Sequence, residues 1–127
     1  MGCCKSSPTW DNTAPYVPEI RKGRVIKVYD GDTITIATRL SYWGPVYRFS
    51  VRLRVIDAKE IHSKNPEEKE SAIKARDRLR SLTLDKIVLI KNRSQEKYGR
   101  VLATVILPDG RDASTVLLEE GYVNVYK

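Results

Sequence analysis

From Gly23 onward the chain alternates in short runs. Val25, Lys27 and Tyr29 interleave with Ile26 and Val28, the period of a β-strand. Asp30-Gly31 follows and predicts a hairpin turn, because both residues tolerate positive φ. Residues 32–38, rich in β-branched side chains, predict a second strand, and 39–45, ending in Gly44-Pro45, a loop. A third strand is expected over 46–57, with Arg52 and Arg54 on one face and Val51, Leu53 and Val55 on the other. The period then changes. Ala72, Ala75, Leu79 and Leu82 share one face of a helix expected over 67–84, with Glu67, Glu68 and Glu70 near its N-terminus, where the helix dipole favours them. Strands are expected again over 86–92 and 100–107, separated by a charged loop at 93–99. Pro108-Asp109-Gly110 marks a turn. Asp112 is placed to cap a short helix running through Glu120, with Gly121 ending it. Residues 1–22 show no apolar period and are punctuated by Pro8, Pro15 and Pro18, so they read as a flexible tail ahead of one domain over 23–127. Trp10, Tyr16 and Val17 are its candidates for docking on that domain.

Three strands in a meander, a helix, two strands and a short helix make a mainly β chain with some α. That is the order of a five-stranded OB-type Greek-key barrel with one long helix after the third strand. An α+β sandwich is the alternative.

A chain of 127 residues has room for one such core. Its apolar runs, at 87–90 and 101–107, fall far short of the ~20 residues that span a bilayer. No apolar core of ~7–15 residues stands near the start, so no secretory signal is expected. Two cysteines, both near the start, build neither a disulfide framework nor a zinc cluster. His62, the single histidine, excludes a multi-histidine metal site, argues against a Ser-His-Asp triad, and reads as a solvent residue. The net charge is +7. Residues 1–20 hold one lysine against two acids, so the basic excess belongs to the domain. That points to a polyanion, either nucleic acid or an anionic membrane surface, with a basic soluble surface that has no partner as the equal alternative.

Charged residues also stand where strands end. Asp32 opens the second strand, Arg52 lies within the third, Asp57 and Glu60 follow it, and Arg100 opens the fifth. A charge facing into a small barrel or cleft is costly unless paired or ligated. Asp32 and Asp57 offer hard oxygen donors suited to Ca²⁺ or Mg²⁺. Arg52 and Arg100 suit a bidentate grip on phosphate, and Glu60 remains as a base or a water-orienting group. These are the parts of metal-assisted phosphodiester cleavage. The simpler reading is that each arginine pairs with a carboxylate at the barrel rim. Asp30-Gly31-Asp32-Thr33 is not an EF-hand, whose later acidic positions are missing.

Three segments, 28–33 (VYDGDT), 51–60 (VRLRVIDAKE) and 96–100 (EKYGR), resemble the signature segments of the staphylococcal nuclease family. Order, spacing and the intervening helix agree over 23–127. The resemblance implies an OB-fold barrel and Ca²⁺-dependent cleavage of DNA or RNA to 3′-phosphate products. It implies that Asp32, Asp57 and the Ala58 backbone carbonyl ligate Ca²⁺, with Asp30 as an acid just behind the metal. It gives Glu60 the attacking water, Arg52 and Arg100 the scissile phosphate, and Lys97 and Tyr98 a neighbouring phosphate. The chain departs from the family at Ala58-Lys59, where the usual pattern is Thr-Pro. Loss of the proline frees the segment that aims Glu60, and Lys59 brings positive charge toward the metal. The chain is expected to lack a third helix of the bacterial enzyme, with Trp10 and Tyr16 as possible substitutes and Tyr126 as a substrate-facing aromatic. The alternative is a catalytically silent OB module that binds nucleic acid or protein.

Met1-Gly2-Cys3-Cys4-Lys5-Ser6 fits N-myristoylation of Gly2, with Cys3 and Cys4 as palmitoylation sites. One myristoyl chain binds membranes marginally, whereas a second acyl chain makes the anchor stable. In a eukaryotic cell this predicts a lipid-anchored monomer on the cytosolic face of a membrane, at its inner leaflet; without acylation the protein would be cytoplasmic. Acylated, membrane-anchored members of the resembled family occur in plants. Tyr42, Trp43 and Tyr47 either stack bases or cover the open end of the barrel. Arg76, Arg78 and Arg80 read as a solvated helix face.

Overall fold

The computed structural model describes residues 7–14, 16–59, 64–95 and 99–125. Five strands close a barrel: β1 (Lys22–Asp30), β2 (Thr33–Arg39), β3 (Val46–Leu53), β5 (Ile87–Gln95) and β6 (Val101–Ile106). The order around it is β1-β2-β3-β6-β5, with β5 returning to β1. All pairs are antiparallel except β3 with β6, which runs parallel from Val51↔Val101 to Leu53↔Ala103. Two short strands, β4 (Ile56–Asp57) and β7 (Asn124–Val125), pair outside the barrel. The helices are α1 (Pro66–Thr83) and α2 (Ala113–Glu119). This is the mainly β barrel expected from the sequence, and closure excludes the open sandwich.

The interior follows from alternation. Ile34 and Ile36 of β2, Val51 and Leu53 of β3, and Val101, Ala103 and Val105 of β6 are buried. Ala75 and Leu79 of α1 and Leu117 of α2 join them in one core. Each fully buried aliphatic side chain stabilises by about 1.5–3 kcal/mol before entropy is counted. Helix α1 begins where its cap chemistry puts it: the Asn65 side chain accepts from Glu67 N–H at 2.9 Å, and Pro66 occupies the first turn. Asp112 caps α2 in the same way, and Gly121 leaves it at φ 79°.

Five local readings are corrected. The alternation of β1 is not strict: a bulge between Val25 and Lys27 resets it, so Val25 and Val28 are both buried and Tyr29 is exposed. The third strand does not run to residue 57. It bends at Arg54-Val55, where Val55 takes φ 79° and turns outward instead of joining Val51 and Leu53. The hairpin turn is centred on Gly31-Asp32, since Asp30 pairs with Thr33, and no residue there has positive φ. Gly31 is needed for another reason: a Cβ would lie 2.6 Å from Ala75 Cβ of α1. Strand β5 continues through residues read as loop, to Gln95. Packing also starts ahead of Gly23. Pro18 and Ile20 are buried, and Arg93 Nη1 donates to both of their carbonyls, at 3.1 and 3.2 Å.

The bend after β3 positions the site. Arg54 N–H donates to Ala103 O, its Nε to Asn92 O at 2.6 Å and its Nη2 to Ser94 Oγ at 2.6 Å. Ser114 Oγ donates to Arg54 O at 2.9 Å. Arg54 therefore fastens the bend to β5, β6 and α2. On α1, Arg78 is more than a solvated side chain. Its Nε and Nη2 donate to Glu120 at 2.6 and 2.8 Å, tying the helix to the end of α2.

Candidate active site

The β1–β2 turn, the end of β3 and the start of β6 meet at one end of the barrel. Their polar residues face an open pocket of about 340 Å³ lined by four carboxylates (Asp30, Asp32, Asp57 and Glu68) and three cations (Arg52, Lys59 and Arg100), with Ala58 beside them. Seven positions named from sequence (Asp30, Asp32, Arg52, Asp57, Ala58, Lys59 and Arg100) thus lie together. Glu60, Lys97 and Tyr98, and likewise His62, Tyr126, Gly2, Cys3 and Cys4, are outside the described residues.

Asp32 is the anchor. It is 7% exposed, sits in the tight turn, and its oxygens are committed. Oδ1 accepts from Thr33 Oγ1 at 3.0 Å, and Oδ2 accepts from Ala58 N–H at 3.2 Å. Arg52 Nη2 lies 3.5 Å from Asp32 Oδ2 and 3.4 Å from Asp57 Oδ1, and donates to Ile56 O at 3.2 Å. One guanidinium therefore gathers two carboxylates from separate elements. Arg52 reaches them because β3 alternates: Val51 points into the core, so Arg52 points out into the pocket. The pairing is that of the simpler rim reading, but it occurs within a shared concavity that also holds Arg100.

Thr33 was not singled out from sequence. Its hydroxyl donates to Asp32 and accepts from Arg100 Nη1 at 3.3 Å, linking the arginine after the 96–98 segment to the carboxylate in the turn. Its place beside Asp32 in Asp-Gly-Asp-Thr was the available signal. Lys59, expected to press positive charge on a metal, has a partner: its Nζ lies 3.8 Å from Glu68 Oε1 in the first turn of α1. Glu68 is the second residue that sequence reasoning did not place here.

A family model described as staphylococcal nuclease homologue matches residues 50–127. The chain belongs to this family. It is 30% identical over 106 residues to an "Uncharacterized endonuclease" of Escherichia coli, covering 83% of this chain and 61% of the relative. It is 29% identical over 127 residues to "Uncharacterized protein MJ1439" of Methanocaldococcus jannaschii, covering 82% and 58%. It is 26% identical over 131 residues to "Protein ParB" of Escherichia coli, covering 96% and 62%. The chain spans about three-fifths of the length of these curated relatives.

For a staphylococcal nuclease homologue the metal in question is Ca²⁺, and the donors present suit it. Asp32 and Asp57 offer hard oxygen donors within reach of one guanidinium, and Ala58 stands in the same wall. Among the described residues no three Asp, Glu, His or Cys side chains are gathered tightly enough to enclose an ion. Two carboxylates on one concavity are an open set, which would leave a hard cation most of its coordination positions for water and substrate oxygens.

Proposed function

We propose that this protein is a Ca²⁺-dependent phosphodiesterase that cleaves DNA or RNA within the chain, leaving a 3′-phosphate and a 5′-hydroxyl. The observation that carries the reading is the Arg52 guanidinium between Asp32 and Asp57 in a pocket shared with Arg100. A phosphate clamp and a hard-cation donor pair in one concavity are what an in-line displacement at phosphorus requires.

In this reading Asp32, Asp57 and the Ala58 carbonyl hold the cation, which supplies charge neutralisation and Lewis acidity at the phosphate. Asp30 adds negative potential behind it. Arg52 and Arg100 bind the non-bridging oxygens and stabilise the charge that grows on them. Thr33 orients Arg100, and Asp32 orients Thr33. Glu60 takes a proton from the attacking water. The new bond joins water oxygen to phosphorus, the bond from phosphorus to the 5′ oxygen breaks, that oxygen takes a proton from solvent water, and Glu60 returns its proton to solvent. Lys97 and Tyr98 hold the adjacent phosphate. The Lys59–Glu68 pair keeps the lysine charge off the donor pair.

The segment ahead of the barrel completes the proposal. Gly2 carries a myristoyl group and Cys3 and Cys4 carry palmitate when the chain is made in a eukaryotic cell. They hold a monomer on the cytosolic leaflet.

The deciding experiment is cleavage of a quenched single-stranded DNA with Ca²⁺ and then excess EGTA, followed by end-group analysis. Cleavage that stops with EGTA and leaves 3′-phosphate ends is expected. A folded protein that binds the oligonucleotide but fails to cleave it with any divalent ion would make it a binding module. Alkyne-myristate labelling that is absent in Gly2→Ala and present in the wild type checks the anchor.

A further inference from the structure

The outer face of the β2–β3 ribbon leads away from the pocket. Paired residues share a face, so Thr35 and Ser50, then Ala37 and Arg48, then Arg39 and Val46 succeed Thr33 and Arg52 along it. Small side chains near the pocket give way to cations, with Lys27 of β1 opposite Thr35. The six steps from Thr33 to Arg39 cover about 20 Å. At the far end, Arg21, Lys22 and Arg39 line an open hollow with Tyr42 and Trp43. The two rings are 82% and 92% exposed and meet edge to face at 4.7 Å. At that exposure they do not cover the barrel end. Among the described residues no ion pair engages Arg21, Lys22, Arg39 or Arg48.

The geometry points to a second contact site for the nucleic-acid chain, at the end of the barrel opposite the cleavage pocket. Unpaired bases stack on Tyr42 and Trp43, while Arg48, Arg39 and Lys22 bind the phosphates between. Stacking on an aromatic ring is tolerant of sequence and needs a base out of the duplex. Cations spaced along a sheet face track a backbone and carry no sequence information. A single strand crossing this face fits the ~4–16 nucleotides that one OB fold engages. Long single strands are therefore held more tightly than short ones, and the excess resides in the loop. This inference rests on the nuclease reading for its ligand, although binding tests it without turnover.

The test measures anisotropy of labelled trinucleotide and dodecanucleotide DNA in EGTA, for wild type and Tyr42→Ala/Trp43→Ala. Both rings are exposed, so the variant keeps the wild-type circular dichroism and Tm. The wild type is expected to prefer the dodecamer, and the variant to lose that preference by about tenfold or more. Arg48→Ala and Arg39→Ala should each lower the salt dependence of dodecamer binding by about one ion. In a Trp10→Phe background, the remaining indole, Trp43, should be quenched by the dodecamer and not by the trimer. An unchanged length preference, or equal losses for both lengths, overturns the inference. So does a variant that keeps dodecamer affinity but no longer sediments with phosphatidylserine vesicles, which reassigns the loop to a lipid surface. Failure of the nuclease reading looks different: the dodecamer binds through the loop, and no divalent ion gives cleavage.

Discussion

At the Arg52 end of the β2–β3 ribbon one arginine is fixed by two carboxylates and a backbone carbonyl. At the Arg39 end, cations and two aromatic rings face solvent. The same residue type meets opposite conditions. In the pocket Arg52 is largely shielded, so its charge acts through a low-dielectric medium and its position is set by partners. At the loop a charge is screened by water and salt. Its value lies in attracting a polyanion and adapting to it. The first end can support chemistry, where a misplacement of about 1 Å costs rate. The second end supports affinity, where tolerance is useful.

The largest effect should come from breaking the fixed end. Arg52→Ala is expected to lower kcat on single-stranded DNA by about 10²–10³, the cost of removing one preorganised donor to a developing charge. It should leave the dodecamer-to-trimer binding ratio near that of the wild type. An Arg52→Ala enzyme with near-normal kcat would refute the clamp.

Gly31→Ala sharpens the contrast through the fold. The added methyl group meets Ala75 Cβ at 2.6 Å and Ala75 backbone at 3.3 Å, so the turn bearing Asp32 must move off α1. A loss of about 1–3 kcal/mol on urea unfolding is expected, together with weaker Ca²⁺ binding by calorimetry. Trp43 quenching by the dodecamer should persist, because that loop is remote from the turn. Equal damage at both ends would show that they are not separable.

The smallest effect tests the scaffold that both ends share. Glu120 is held below its ordinary value by its hydrogen bond to Arg78, and then by the charge of that guanidinium. A lowered carboxylate stabilises the fold above its unfolded pKa and ceases to do so as pH falls through the lowered value. Glu120→Gln should therefore lower Tm slightly at neutral pH, and the difference from wild type should shrink as pH falls below 4.5 and vanish once pH is below the lowered value. The pair is exposed at the surface, so the shift is small. A difference that grows in acid would contradict it.

Much of the fold was legible because it is written in local periods and caps. The Ala72, Ala75, Leu79 and Leu82 stripe, the Asn65 and Asp112 caps and the alternation of β6 all reappear in the structure. The site was legible as residue chemistry at strand ends, and the pocket gathers Asp30, Asp32, Arg52, Asp57, Ala58 and Arg100. What escaped depends on non-local contact. Val55 reads as a core residue by period, yet the chain must turn at Arg54 so that β4 can leave the barrel and meet β7. Thr33 and Glu68 gain their roles only because Arg100 and Lys59 arrive from other elements.

The sequence by itself determined which faces are apolar, where the helices start and stop, and which ionisable residues are available. Tertiary structure alone decided that β3 closes on β6 in parallel, that Gly31 is required by the approach of α1, and that Arg52 gathers carboxylates while Arg54 holds the bend. Periodicity is a property of neighbours along the chain. Closure, close approach and ion pairing depend on which distant segments share the same space, and burial of the common core fixes that.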